Sequence, residues 1–131
     1  MSIKYNVIQR RNPSKPGEPQ KYYAVVASDG EMDIDQLVKQ IEKFSALSEA
    51  DIRGVIIALE NVIQDALAAG KIVRLDKLGS LYATLSSGAA DTEKDFHSGL
   101  IKKVGVNYRP GKRILDSMKA AGFEKVAKPK A

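Results

Sequence analysis

Two short runs near the start of the chain are dense in β-branched and aromatic residues. They are Ile3-Lys4-Tyr5-Asn6-Val7-Ile8-Gln9-Arg10 and Lys21-Tyr22-Tyr23-Ala24-Val25-Val26-Ala27. Side chains of this kind suit a pleated surface, so both runs are predicted strands. Between them, Arg11-Asn12-Pro13-Ser14-Lys15-Pro16-Gly17-Glu18-Pro19 holds three prolines, which cannot donate to a ladder. That segment reads as an exposed basic loop, and Ser28-Asp29-Gly30 reads as a turn. The period then changes. Ile34, Leu37, Val38, Ile41 and Phe44 follow i, i+3, i+4, i+7 spacing, which predicts an amphipathic helix over 34–45 with Asp33 as N-cap.

A second helix opens at Ser48-Glu49-Ala50-Asp51, where Ser48 can cap and Asp51 meets the positive end of the dipole. Its apolar positions are Ile52, Val55, Ile56, Leu59, Ile63, Ala66 and Leu67, and Ile57 and Val62 widen the stripe beyond one face. Gly70 ends it, in the left-handed conformation that glycine adopts cheaply. So wide a stripe on a short helical hairpin calls for burial on two sides, and a homodimer supplies the second.

Alternation resumes after Gly70. Ile72 to Leu78 leads through Gly79 into Ser80-Leu81-Tyr82-Ala83-Thr84-Leu85, a pair of strands around a tight turn. Residues 86–99 are polar and glycine-rich and read as a protruding loop or arm. Leu100 to Tyr108 is a further strand. Arg109-Pro110-Gly111-Lys112-Arg113 then precedes a short helix built on Ile114, Leu115, Met118 and Ala121 and ended by Gly122. The expected division is an N-terminal β-hairpin extension over 1–30, a main domain over 31–124, and a basic, disordered tail over 125–131.

Composition narrows the chemistry. The 131 residues include no Trp and 6% aromatics, so the core must be aliphatic. Zero Cys excludes disulfides, Fe–S clusters and thiolate zinc sites, and one His gives neither a His-rich metal site nor a hydrolase triad with a nucleophile motif. No cofactor, metal or small-molecule substrate is implied, and no enzyme activity. No apolar run approaches the length of about 20 residues that spans a membrane. The first residues lack a signal-peptide core, and the expectation is a soluble, cytoplasmic protein.

Charge is segregated. Residues 1–30 carry five Lys/Arg and two Asp/Glu, residues 31–70 three and eight, and residues 71–131 thirteen and six. An acidic helical middle thus separates two basic flanks within a net charge of +5. One face meeting a polyanion produces this pattern, although many basic proteins bind no anion.

The motifs, taken in order, resemble the bacterial HU / integration host factor family of histone-like proteins. They are Leu47-Ser48-Glu49-Ala50-Asp51, then Leu67-Ala68-Ala69-Gly70-Lys71-Ile72-Val73-Arg74-Leu75, then Leu78-Gly79-Ser80-Leu81, and last Tyr108-Arg109-Pro110-Gly111-Lys112. The resemblance covers residues 34–120. It implies an α+β fold and an intertwined homodimer: a helical-hairpin base, a three-stranded saddle with arms, and a short C-terminal helix. It also implies double-stranded DNA as partner and a nucleoid-architectural role, in which cations meet phosphates and a wedge unstacks a base step. Two features depart from the family pattern. The arm-tip motif with its wedge proline is replaced by Lys94-Asp95-Phe96-His97-Ser98-Gly99, which puts Phe96 near the proline position. Asp91, Glu93 and Asp95 also make the arm less basic.

The candidate DNA-binding residues are therefore Lys102, Lys103, Arg109, Lys112, Arg113, Lys94, His97, Arg10 and Arg11, with Phe96 as a wedge. Most have a plainer reading. Lys102 and Lys103 are adjacent on a strand and so point to opposite faces, and lysines also protect edge strands. Arg109, Lys112 and Arg113 surround a helix start, which suits a phosphate or a solvated turn. Arg10 and Arg11 flank the hairpin loop and serve a phosphate or simply solvate it. An HU scaffold kept for protein interaction, without DNA bending, is the rival reading. RNA as partner is not separated from DNA by these residues.

Overall fold

The structure, a computed structural model, describes residues 1–127. In chain order the elements are β1 (Ile3–Arg10), β2 (Lys21–Val26), α1 (Ile34–Lys43), α2 (Glu49–Ala68) and β3 (Val73–Arg74). They continue with β4 (Gly79–Ser87), β5 (Ile101–Pro110), α3 (Lys112–Ala120) and β6 (Phe123–Lys125). Two compact units emerge, one formed by Met1–Ile34 with the segment from Asp116 onward, the other by Asp35–Leu115.

In the first unit the predicted hairpin forms: β1 and β2 pair antiparallel, with Tyr5 opposite Val26 and Arg10 opposite Lys21. Lys4 holds the following turn through a 2.7 Å ion pair with Asp29. The hairpin builds a separate sheet of order β2-β1-β6, in which β6 runs parallel to β1 with Ile3 opposite Phe123. Lys125, expected to begin a disordered tail, is the last residue of β6 and pairs with Tyr5. Residues 128–131, the rest of that expected tail, lie outside the described residues.

The second unit has the helical hairpin and the sheet β3-β4-β5. Ser48 caps α2 by accepting from the Asp51 N–H at 3.2 Å. Gly70, at φ +81°, ends the helix as its position required. Arg53 of α2 pairs with Asp35 of α1 and holds that carboxyl below the usual carboxylate range, chiefly through the hydrogen bond. The apolar core of the described residues is small: Val38 of α1 is fully buried and Ile52 of α2 is 3% exposed. Val55, Ile57, Leu59 and Val62, on the wide stripe of α2, remain exposed.

Candidate nucleic-acid interface

The second sheet has two chemically different faces, and its register sets them. Residues directly opposite across antiparallel strands share a face. Arg74 of β3 is opposite Ser80 of β4, and Ser80 is opposite Arg109 of β5, so one row crosses all three strands. The same face continues with Tyr82 opposite Asn107, Thr84 opposite Gly105, and Ser86 opposite Lys103. Every residue on it is polar, cationic or glycine. The other face carries Val73, Leu81, Ala83, Leu85, Val104, Val106 and Tyr108. Leu85 and Val104 there are 65% and 68% exposed.

The polar face is organised around Arg109. Its guanidinium carbon lies 5.7 Å from the centroid of the Tyr82 ring, within cation–π range, and the planar group is steered across the sheet by that contact. Arg109, Tyr82, Ser80 and Arg74 line an open cleft of about 340 Å³, together with Gly70 and Lys71 just after α2. Three cations and no carboxylate line it, so it presents a concentrated positive potential to solvent. At the base of the sheet the Tyr108 hydroxyl donates to the Leu78 carbonyl, tying β5 to the turn before β4.

The simple alternation expected to send the two lysines to opposite faces is interrupted at Lys102 by a bulge. Lys103 faces Ser86 on the cationic side, but the register slips between Ser86 and Ser87, and Ile101 is opposite Ser87. Lys102 is the extra residue of that bulge, and its side chain lies beside Gly88. Lys112 and Arg113 occupy the exposed first turn of α3, directly after Pro110-Gly111.

The segment over 86–99, expected to be a protruding loop or arm, is a loop. The ladder ends at Ser87 opposite Ile101, and the Gly88 N–H closes the loop base on the Leu100 carbonyl at 2.8 Å. Within it, Glu93–Asp95 and Ser98–Leu100 form single 3-10 turns, the first capped by the Thr92 hydroxyl accepting from the Asp95 N–H. Lys94 lies in the first turn. Phe96 follows it, 42% exposed, and the His97 ring folds back over Gly99. Arg10, at the end of β1, is opposite Lys21 in the first unit, and Arg11 begins the exposed loop beyond it. Among the described residues no group of three or more His, Asp or Glu is placed to hold a metal ion, and no helix is long and apolar enough to cross a membrane.

Sequence reasoning missed Arg74, Lys71 and Tyr82 as site residues. The signal was present: a cation at 74 interrupts an apolar strand, and folding that strand back through Asp76–Gly79 puts it opposite Ser80.

A helical hairpin followed by a three-stranded sheet that is cationic on one face defines an α+β, HU-like domain. The chain belongs to the HU-HIG family, described as an HU domain fused to wHTH, Ig or a glycine-rich motif, whose pattern matches residues 1–125. The N-terminal hairpin and β6 thus fall within the matched region. A crystal structure of a candidate bacterial DNA-binding protein from Bacteroides vulgatus ATCC 8482 shares the fold. It matches with a TM-score of 0.70 and 13% identity over 99% of this chain, which spans 50% of that chain's length. No curated protein matches the sequence.

Proposed function

We propose that this protein binds double-stranded DNA as a homodimer, through the cationic face of β3-β4-β5, with little sequence preference. The observation that carries this reading is the row Arg74–Ser80–Arg109, continued by Tyr82 and Lys103, on a face with no acidic residue. Cations spread over a sheet meet phosphates and release counterions, a mode that reads the backbone rather than the bases. The name of the Bacteroides vulgatus protein and the family description point the same way. Lys112, Arg113, Lys102, Lys94 and His97 are proposed as further contacts, with Phe96 as a wedge against a base step. Arg10 and Arg11 are proposed contacts from the hairpin. The role is binding, with no catalytic step, and its place is the cytoplasmic nucleoid.

The homodimer rests on unsatisfied apolar surface. Ile56, Leu59, Ile63 and Leu67 line an open groove of about 490 Å³ along α2. With Val55 and Val62 exposed on the same helix and Leu85, Val104 and Val106 on the apolar sheet face, a second copy is the natural cover.

Fluorescence anisotropy on a short random-sequence duplex, titrated with salt, tests the proposal. Binding that weakens steeply with salt supports it, and no binding at low salt overturns it.

A further inference from the structure

β2 is one edge of the N-terminal sheet, and no strand among the described residues pairs with its outer side. The phase of the ladder identifies the groups that face outward. The Ala27 N–H donates to the Lys4 carbonyl at 2.8 Å, in register with Tyr5 opposite Val26. Backbone groups alternate sides along a strand, so Lys21, Tyr23 and Val25 bond to β1. The N–H and C=O groups of Tyr22, Ala24 and Val26 then lie on the open edge. The other neighbour gives the same phase: Ile3 N–H donates to the Gly122 carbonyl, and Val126 N–H to the Tyr5 carbonyl. Odd residues of β1 therefore serve β6 and even residues serve β2.

Natural edge strands are shielded by charges, prolines, bulges or brevity. The β6 edge follows that rule, being three residues long and including Glu124 and Lys125. The β2 edge does not. From Tyr22 to Ala27 it has no charge, no proline and no bulge, and Tyr22 and Val26 are 70% and 77% exposed.

We propose that β2 pairs antiparallel with β2 of a second copy, about a two-fold axis at Ala24. The segment is self-complementary in that register. Ala24 is opposite its own counterpart, the smallest side chain at the axis, and Tyr22 is opposite the second copy's Val26. Tyr23 is opposite the second copy's Val25 on the other face. Aromatic and β-branched residues are favourable cross-strand partners. Lys21 meets Ala27 rather than another cation. All the open backbone groups of Tyr22, Ala24 and Val26 are satisfied, and two three-stranded sheets become one of six strands. The apolar groove of about 370 Å³ lined by Ile3, Tyr5, Ala24, Val25, Val26 and Phe123 reaches this edge, so its wall continues across the junction. The contact is isologous and uses the same patch on both copies. Edge pairing stands on its own observations; that it links dimers into chains along DNA rests on the homodimer reading above.

Sedimentation velocity of the full chain over a wide concentration range, for wild type and Ala24→Pro, tests it. The Ala24 N–H faces the open edge, so proline there removes no β1–β2 hydrogen bond. Wild-type assemblies larger than a dimer, reduced to dimers by Ala24→Pro, are expected. A wild-type dimer that becomes a monomer in Ala24→Pro supports the edge contact and overturns the helix-mediated homodimer instead. A variant indistinguishable from wild type, or a wild type that never associates, overturns the edge contact. If circular dichroism shows that the proline variant is unfolded, Ala24→Lys and Ala24→Glu decide. Each alone should lose the larger assemblies and a mixture should restore them, because the two substituted residues meet at the axis. A mixture that restores nothing overturns the proposal.

Discussion

Gly79 and Gly111 each lie against the backbone flanking the other, Gly79 on Arg109 and Gly111 on Lys77, and neither position has room for a side chain. A Cβ at Gly79 would overlap the Arg109 carbonyl and come within 3.0 Å of the Gly111 nitrogen, and one at Gly111 would overlap the Lys77 carbonyl. The Gly111 N–H donates to the Leu78 carbonyl at 3.3 Å, and Gly79 takes φ +124°, a region L side chains avoid. This crossing sets where β5 ends, and with it the position of Arg109. Gly79→Ala and Gly111→Ala should each destabilise the fold by about 2–4 kcal/mol, from steric overlap and, at 79, backbone strain. Urea unfolding checks this, and unchanged midpoints would show that the approach is not maintained in solution.

Tyr82 should matter to DNA binding without touching the bases. It supports the Arg109 guanidinium, and a cation–π contact at an exposed site contributes about 0.5–1 kcal/mol. Tyr82→Ala is expected to weaken DNA binding by about 2- to 5-fold. Tyr82→Phe, which keeps the ring, should bind like wild type. Anisotropy titrations separate the two, and equal losses in both would place the effect on the hydroxyl.

Lys103 and Lys102 are neighbours with different surroundings. Lys103 shares the face of Arg74 and Arg109, whereas Lys102 is the bulged residue beside Gly88. Lys103→Ala is expected to reduce the salt slope of binding by about one unit for each phosphate that the lysine no longer neutralises. Lys102→Ala should reduce it less. The opposite order would mean that the bulge, not the sheet face, meets the DNA.

Two ion pairs give stability a direction with pH. Hydrogen bonding by Arg53 holds Asp35 below the usual carboxylate range, so its contribution is complete above that range and lost as pH falls through the lowered value. Asp29 raises Lys4 above the usual lysine value by hydrogen bonding, so that contribution is complete below the usual value and lost as pH rises through the raised one. Both pairs are solvent-exposed and their effects should be small. Thermal melts of Asp35→Asn should fall slightly below wild type at neutral pH and converge with it in strong acid. A constant gap at every pH would remove the ion pair as the cause.

Local chemistry explains which parts were legible in the sequence. Ser48 and Gly70 mark the ends of α2 because capping and positive φ are properties of single residues. The three prolines after Arg11 likewise mark the hairpin loop. β6 was hidden, since Phe123-Glu124-Lys125 is short and charged and becomes a strand only by pairing with Ile3–Tyr5, more than a hundred residues away. Arg74 was hidden for a related reason: β3 has two residues, and its alignment with Ser80 and Arg109 exists only once the turn closes. The arm segment was recognisable as polar, but nothing in its composition distinguished 3-10 turns from an extended ribbon.

Contact between the cationic face of β3-β4-β5 and DNA phosphates should dominate the salt dependence of binding. The most direct test is the salt slope of duplex binding for the triple variant Arg74→Ala, Lys103→Ala, Arg109→Ala, measured by anisotropy beside wild type. At about 0.9 per phosphate, removing about six cations from a homodimer should flatten the slope by about 5 and weaken binding on every sequence. A variant with wild-type affinity and slope would contradict the claim.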